Sequence, residues 1–396
     1  MGTKIVHQHH VHFMSNTTQS LDEQLRKRTS RQKESGPVIF DLSDEDNVIA
    51  LDALIKQNSS LRVCDEYEDQ LREYFQVMHP DRVYVQEFET EFAVFFKRLK
   101  ENGSLVAHGR WAWFPWKNTL VHILDEQGFY AVRTARNRLL ITAEEQKQFY
   151  DGVVGIAGLS VGNSVALALV LQGAARHIKL ADFDRLALSN TNRIRTSIDE
   201  LGELKVDVTA RQIYELNPYA QIERFAEGLT EQTIESFFEG LDVVVDEIDS
   251  LAMKYLIRTH AQKRKLPVIM GADCGDNAVI DIERYDQNPE LEFFHGRVGD
   301  ITYEELLSMN KFEIGKTIAK HIGHENLTDR IHQSLQQMGK TIVSWPQLGG
   351  AALINGSAIA YGVRKILNGD SLEDNRAIIS LDVPFHSEYT KEDIEK

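Results

Sequence analysis

Between residues 37 and 285, short apolar runs alternate with amphipathic segments. The runs GVVGIAG, HIKLADFD, DVVVDEIDS and PVIMGAD are apolar and rich in β-branched residues, which predicts buried parallel strands. The intervening segments SVALALVLQG, DELGELKVDVTARQIYELNP, EQTIESFFEGL and LAMKYLIRTHAQKRK predict helices. The pattern therefore predicts an α/β fold with a Rossmann-like, doubly wound, mostly parallel sheet.

A smaller α/β unit comes before this sheet. PVIFDL and LRVCD predict strands, Ser43 is a candidate N-cap of the helix between them, and WAWFPWKNTLVHIL predicts two strands joined by a turn. We expect four regions: a disordered polar tail at 1–36, an accessory α/β domain at 37–130, a nucleotide-binding domain at 131–285, and a helical closing segment at 286–396.

Two clusters allow a functional or a plain interpretation. Four histidines of the tail are a possible metal site, although a flexible polar tail is favoured: His7, His9, His10 and His12. Four aromatic residues of the accessory domain are a possible substrate platform, although a packed core is favoured: Trp111, Trp113, Phe114 and Trp116.

Composition narrows the classes of protein. The 396-residue chain has 44 basic and 60 acidic residues, a net charge of −16, so general nucleic-acid binding is not expected. Its two cysteines cannot form a disulfide framework or a four-cysteine zinc site, which fits a reducing, cytoplasmic setting. No apolar run reaches 18 residues, so we expect no transmembrane helix and no membrane association.

The stretch LADFDRLALSNTNR concentrates chemistry at the end of a predicted strand. It supplies the acidic pair Asp182 and Asp184, then Asn190 and Arg193, and Lys205 follows shortly afterwards. Arginine presents a planar fork to phosphate oxygens and lysine a point charge, whereas a dinucleotide site needs only one ribose-binding acid here. This set indicates binding of a nucleoside triphosphate.

The motif GLSVG, from Gly158 to Gly162, has two interpretations. It matches the nucleophile elbow of α/β-hydrolases, with Ser160 as nucleophile, and it also suits a glycine turn that binds phosphate at a helix N-terminus. Asp182 follows Gly162 by 20 residues (182 − 162), where a ribose-binding acid is expected. That spacing favours the phosphate turn.

Residues 136–285 resemble the ThiF/MoeB-type adenylyltransferases, relatives of the ubiquitin-activating enzymes. The resemblance rests on an ordered series of motif residues: Asn137, Arg138 and Gln146, the turn 157–162, Asp182 to Asp184, Ser189, Asn190 and Arg193, Gly202, Lys205, Asn217, Pro218, Asp246, Asp249 and Lys254. The segments DRVYV, FFHGRVGD and SWPQLGG resemble a bacterial branch of the same family.

The resemblance implies ATP-dependent activation of a carboxylate as an acyl-adenylate, with release of pyrophosphate. It assigns nucleotide binding to the turn with Gly158, Ser160 and Gly162, to Asp184, and to Asp182, which would bind the ribose. It assigns binding of the phosphates to Asn190, Arg193 and Lys205. It assigns binding of Mg²⁺ to Asp249, with Asp246 as a second candidate. In relatives, the arginine that corresponds to Arg138 reaches the nucleotide of the neighbouring subunit, which implies a homodimer. The implied catalytic residues are Arg138, Arg193, Lys205 and Asp249.

Several alternatives stay open. The activated carboxylate belongs to a small molecule, a peptide, a carrier protein or a tRNA nucleoside. Relatives usually have three glycines in the turn, where this chain has Ala157, Leu159 and Ser160, so an NAD- or FAD-binding oxidoreductase on the same sheet is the alternative function. The zinc-binding cysteine pairs of relatives are missing from the sequence. Cys274 is a candidate acyl acceptor, although an ordinary loop residue is favoured.

Overall fold

The structure, a computed structural model, describes residues 36–174, 176–372 and 374–381. The predicted disordered tail, with His7, His9, His10 and His12, lies outside the described residues apart from Gly36.

The accessory region is a four-stranded sheet covered by helices. The strands follow the order β1-β3-β4-β2, antiparallel except for the parallel pair β2–β4. Their bounds are Val38–Phe40 (β1), Arg62–Asp65 (β2), Arg110–Phe114 (β3) and Thr119–Ile123 (β4), and the helices are Glu45–Gln57 (α1), Tyr67–Met78 (α2) and Phe88–Glu101 (α3). The two strands predicted from WAWFPWKNTLVHIL are confirmed as β3 and β4.

The predicted N-cap of α1 is wrong by one residue. The cap is Asp44, whose carboxylate accepts a hydrogen bond from the backbone N–H of Asp46 at 3.0 Å. Ser43 instead donates its hydroxyl to Asp41 at 2.7 Å. Either residue type is a good cap, so the choice depended on this local hydrogen bond of the serine to a residue two positions before it.

The aromatic residues of β3 belong to the core. Trp111 and Phe114 are buried, and Trp111 stacks on the ring of His122 with 4.3 Å between centroids. Phe114 shares one apolar core with the large sheet. These contacts favour the packing interpretation of the aromatic cluster.

A seven-stranded sheet forms the centre of the molecule, with the strand order β11-β10-β9-β8-β5-β6-β7. Its strands are Val153–Ala157 (β5), His177–Ala181 (β6), Gln221–Phe225 (β7), Val243–Asp246 (β8), Val268–Cys274 (β9), Asn277–Glu283 (β10) and Arg376–Ile379 (β11). Strands β5 to β9 pair in parallel, and β10 and β11 add antiparallel edges. The predicted Rossmann-like, mostly parallel sheet is confirmed, and the edge strand β11 was not predicted from the sequence.

Helices cover both faces of this sheet. Their bounds are Glu126–Arg133 (α4), Ala143–Asp151 (α5), Val161–Leu171 (α6), Lys205–Leu216 (α7), Ile234–Phe238 (α8), Leu251–Arg264 (α9), Tyr303–Ser308 (α10), Lys311–Ile322 (α11), Asp329–Leu335 (α12) and Gly349–Leu367 (α13). In the part of the chain that the structure describes, no helix is long and apolar enough to cross a membrane.

Helix α7 begins later than its sequence pattern predicts. The preceding residues Ile198–Glu200 form a separate 3-10 turn, which is capped by Ser197 and Glu200. The chain then passes through Gly202, whose φ of 88° is incompatible with a continuous helix. The delay matters because it makes Lys205 the first residue of α7.

Candidate active site

The site lies where the strand order of the sheet reverses. After β5 the chain builds β6 and β7 on one side, and then crosses back to build β8 and β9 on the other. In sheets of this kind, ligands bind at the carboxyl ends of the strands beside the reversal. The predicted nucleotide-binding residues follow β5, β6 and β8 at this edge.

The glycine turn joins β5 to α6 in a conformation that requires glycine. Gly158 has a φ of 87°, and a Cβ atom there would lie 2.3 Å from the carbonyl oxygen of Glu247. The turn thus packs directly against the loop after β8, and it leads into the N-terminus of α6, whose first N–H groups favour an anion. The turn therefore has a glycine at the position where its backbone conformation requires one.

Asp182 is fixed by the glycine turn. Its Oδ2 accepts a hydrogen bond from the N–H of Leu159, and its Oδ1 accepts one from the N–H of Asp184, both at 2.7 Å. Burial raises the pKa of Asp182, although the charge of Lys205 acts in the opposite direction. Each carboxylate oxygen has a second lone pair, so these bonds orient Asp182 and still allow it to accept a ribose hydroxyl.

Lys205 is the buried cation of the site. Only 8% of its side chain is exposed, and its Nζ lies 2.7 Å from Oδ2 of Asp184. Its backbone N–H also donates to the carbonyl oxygen of Asp184, at 2.9 Å. The side chain of Asp184 is half exposed, so the structure places a held ammonium group just inside the rim of the site.

Arg193 connects the third motif to the glycine turn. Its Nε donates to Oγ of Ser160 at 2.8 Å. Burial lowers the pKa of Arg193, and the charges of Asp273 and Asp249 oppose this shift. A guanidinium group stays protonated and cannot accept the proton of Ser160, so this contact does not activate Ser160 as a nucleophile. The geometry therefore argues against the hydrolase interpretation.

Asn190 has a local structural task. Its side-chain oxygen accepts a hydrogen bond from the N–H of Ala187 at 3.0 Å and caps the turn Leu188–Asn190. This turn leads directly to Arg193, so Asn190 shapes the segment that carries the arginine.

The two predicted magnesium ligands differ in their surroundings. Asp246 is completely buried, 3.1 Å from Nζ of Lys254 and 2.6 Å from Nη1 of Arg258. Burial alone would raise the pKa of Asp246, but these two cations together lower it. Both oxygens are thus engaged by cations. Asp249 is exposed in the loop that precedes α9, and it is the better placed of the two acids to reach a metal ion.

The hydrogen bond that Arg138 makes leads to the accessory region and not to the other predicted site residues. It is exposed and donates from Nη1 to the carbonyl oxygen of Val77, in α2, at 3.0 Å. The next residues, Leu139 and Leu140, are 98% and 85% exposed. Its motif partners Asn137 and Gln146 both donate to the carbonyl oxygen of Gln172 at 3.0 Å, and so hold the end of α6.

Two acidic residues of the site edge were not predicted from the sequence. Glu247, after β8, accepts from the N–H of Gly271 at 2.8 Å, and burial raises its pKa well above the usual range. Asp273, at the end of β9, is buried against Asn355. The signal available in the sequence was their position at the carboxyl ends of predicted parallel strands.

Cys274 is not exposed to the site. Its side chain is completely buried in a small apolar cluster with Val279, Ala319 and Ile322. Burial, followed by the charge of Asp273, raises the pKa of its thiol to about 12. A thiol in this setting is a poor nucleophile.

Comparison with known proteins agrees with this geometry. Residues 134–287 match the ThiF family. The chain is 33% identical over 348 residues to the uncharacterised protein MT1398 of Mycobacterium tuberculosis, covering 88% of this chain and 46% of that protein. It is 34% identical over 143 residues to the tRNA threonylcarbamoyladenosine dehydratase of Bacillus subtilis, covering 35% of this chain and 56% of that protein.

A third relative is the sulfur carrier protein adenylyltransferase of Thermus thermophilus, 31% identical over 121 residues, with 30% of this chain and 44% of that protein covered. The chain spans about half the length of these relatives. Residues 134–287 form a domain of the ThiF family, so the resemblance predicted over residues 136–285 is confirmed.

Proposed function

We propose that this protein is an ATP-dependent adenylyltransferase, which activates a carboxylate as an acyl-adenylate and releases pyrophosphate. One observation carries the proposal: a half-buried arginine, Arg193, contacts the glycine turn that fixes Asp182, and a buried lysine, Lys205, pairs with Asp184 next to it. A site that binds only a ribose and a pyrophosphate at a helix N-terminus needs no such pair of cations.

The chemistry follows from the positions of these charges. A carboxylate oxygen attacks the α-phosphorus of ATP, a new P–O bond forms, and the bond to the pyrophosphate oxygen breaks. Negative charge grows on the phosphate oxygens in this step, and Arg193 and Lys205 are the fixed cations that stabilise it. Asp182 would hold the ribose, and the N-terminus of α6 would face the phosphates.

One of the two candidate acids is suited to bind a magnesium ion. When bound, Mg²⁺ would be held by one or two carboxylates together with phosphate oxygens, and it would supply positive charge next to the leaving pyrophosphate. Because Asp246 is already engaged by Lys254 and Arg258, we infer that Asp249 supplies the protein ligand.

Arg138 and the two leucines after it support a homodimer. An exposed arginine followed by Leu139 and Leu140, both almost fully exposed, is typical of a surface that a second subunit covers. We infer that Arg138 completes the nucleotide site of the partner subunit, as the family resemblance implies.

The class of substrate and the cellular setting are part of the same proposal. The substrate is a carboxylate of a small molecule, a peptide, a carrier protein or a tRNA nucleoside, and the net charge of −16 makes general nucleic-acid binding unfavourable. Both cysteines are free, which supports a reducing, cytoplasmic setting.

Calorimetric titration of the purified protein tests the nucleotide specificity. We expect binding of ATP–Mg²⁺ and no binding of NAD⁺, NADH or FAD. Lys205→Ala and Arg193→Ala should each weaken ATP binding by about 10-fold or more, because each removes a charged hydrogen-bond donor to phosphate. The control is Lys97→Ala, whose side chain is 78% exposed on α3, and it should bind ATP like the unaltered protein.

The alternative is decided by the same titration. Binding of a nicotinamide or flavin cofactor, without binding of ATP, would establish the oxidoreductase function on this sheet. The relatives above that have functional names are a dehydratase and an adenylyltransferase, and they give that alternative no support.

A further inference from the structure

A buried carboxyl group that the proposed adenylation does not use lies at the carboxyl end of β9. This residue, Asp273, is 5% exposed. The amide nitrogen of Asn355, a completely buried residue of α13, donates to its Oδ1. Its Oδ2 is buried and has no hydrogen-bond partner among the residues that the structure describes. An unpaired buried carboxylate oxygen costs free energy, so it points to a group that arrives with the substrate.

Asp273 lies on the Arg193 side of the site. The two residues are close enough for the charge of each to shift the pKa of the other, and Arg193 holds Ser160 in the glycine turn. The segment that leads into α13 also contacts this region, because the side chain of Asn192 donates to the carbonyl oxygen of Gln347 at 2.9 Å. Asp273 therefore lies close to where the reacting phosphate would be held.

The surroundings of Asp273 make it a proton acceptor. Burial raises its pKa to about 6, although the hydrogen bond from Asn355 and the charge of Arg193 act in the opposite direction. A carboxyl group with this pKa is ionised at neutral pH, yet it is more basic than an ordinary carboxylate. These are the properties of a general base that works near pH 7.

The neighbouring residue, Cys274, does not compete for this task. It is completely buried and its thiol is held in the protonated form, so the acyl group is not passed to this sulfur. A cavity of about 500 Å³ begins directly after β9, lined by Gly275 and Asp276 and by Pro346 and Leu348 before α13. Gly275 of this lining lies two positions after Asp273 in the chain.

We propose that Asp273 is the general base of a second half-reaction, in which a primary amine attacks the acyl-adenylate. The inference rests on the proposed function, which supplies the acyl-adenylate. The amine nitrogen forms a bond to the acyl carbon, the bond from this carbon to the AMP oxygen breaks, and AMP leaves with the electron pair. Oδ2 of Asp273 takes the proton lost by the nitrogen. The products are an amide and AMP, and nothing is oxidised or reduced.

The experiment bypasses the unidentified carboxylate by supplying synthetic acetyl-adenylate, with glycinamide as the amine. The unaltered protein should accelerate AMP release over the buffer reaction, and the rate divided by the concentration of unprotonated glycinamide should fall as the pH drops below about 6. Asp273→Asn preserves the size of the side chain and its acceptor for Asn355. It should lower the acceleration about 100-fold and abolish this pH dependence, while ATP–Mg²⁺ binding stays unchanged.

Two further variants make the test specific. Asp52→Asn is a matched acid-to-amide change on α1, where the side chain is 57% exposed, and it should leave the rate unchanged. Asp273→Ala should recover part of the lost rate when formate is added, because a free carboxylate then replaces the missing base. A residue that only supports the fold would not be rescued in this way.

The outcomes separate the inference from the proposed function. Wild-type rates in Asp273→Asn, in a protein that binds ATP–Mg²⁺, would overturn the role of Asp273 and leave adenylation intact. Loss of ATP–Mg²⁺ binding in a variant with an unchanged circular dichroism spectrum would make Asp273 a nucleotide- or metal-site residue, which also overturns the inference. Absence of ATP binding in the unaltered protein would refute the proposed function itself.

Discussion

Replacing Arg258 by methionine tests how much a buried ion network at the end of β8 contributes to the free energy of unfolding. Arg258 is completely buried, and its guanidinium lies 2.6 Å from Asp246 and 2.7 Å from Glu283. It also covers the ring of Phe294 at 4.1 Å from the centroid. The charges of Glu283 and Asp246 outweigh burial and raise the pKa of Arg258, so the pair of carboxylates is held by a permanent cation.

The magnitude follows from what remains after the substitution. Methionine fills much of the space but leaves two buried carboxylates with one fewer cation, which typically costs about 3–5 kcal/mol. The lower part of this range applies here, because Lys254 still contacts Asp246 and the hydroxyl of Tyr285 still donates to Glu283 at 2.8 Å. We therefore expect a loss of about 3 kcal/mol in the free energy of unfolding at pH 8.

The loss should depend on pH in a defined direction. In the unaltered protein the folded-state pKa of Asp246 lies below its ordinary value, so this carboxylate stabilises the fold above about pH 4 and loses that effect as the pH falls further. Without Arg258, the folded-state pKa of Asp246 rises. The difference between variant and unaltered protein should therefore be largest at pH 8 and should shrink towards pH 4.

Urea unfolding followed by tryptophan fluorescence measures both quantities, since the chain has four tryptophans. The control is Arg82→Met, which removes an arginine that is 48% exposed and paired with Asp81 and Glu91, and it should change stability by less than about 1 kcal/mol. An Arg258→Met protein as stable as this control at pH 8 would refute the reasoning about the buried network.

Two further predictions concern the site. Gly158→Ala should abolish ATP binding, because its Cβ would collide with the backbone of Glu247. The control Gly202→Ala has a similar φ of 88° but open space around it, so it should keep ATP binding and lower stability by only about 1 kcal/mol. Equal loss of ATP binding in both variants would contradict the collision. Mixing Arg138→Ala with Lys205→Ala subunits should restore about a quarter of the intact sites, because in a homodimer one site of each mixed pair is complete. Adenylation assayed as ATP–pyrophosphate exchange would show this recovery, and no recovery would place Arg138 in its own subunit's site or outside any site.

The secondary structure and the short-range motifs of this protein could be predicted from its sequence. The alternation of β-branched runs with amphipathic segments predicted strands β5, β6, β8 and β9 and the helices between them, because side-chain periodicity is a local property. Helix α5 begins at a capping box of Thr142 and Glu145, which is equally local because the two residues are three positions apart. The 20 residues between Gly162 and Asp182 predicted that the glycine turn and this acid act together, and the hydrogen bond from the N–H of Leu159 to Asp182 shows that they are in contact.

Other features depended on contacts between distant segments. Arg258 is 12 residues from Asp246 and 25 from Glu283 along the chain, and β11 pairs with β10 across a long insertion. The burial that makes Asp246 an ion-pair partner is set by these contacts, and no local pattern reports it.

The division is clearest at the end of β9. In the segment GADCGD the cysteine was the predicted candidate, and the aspartate before it was indicated only by its position at the end of a predicted strand. In the fold, alternate residues of the strand point to opposite faces, so Cys274 enters an apolar cluster while Asp273 meets Asn355, 82 residues further along the chain. The sequence by itself determined which residues carry charge and which strands they follow. Only the tertiary structure decided which charges were neutralised by a partner and which kept a buried oxygen without one among the described residues, because desolvation and pairing depend on what the rest of the chain packs around them.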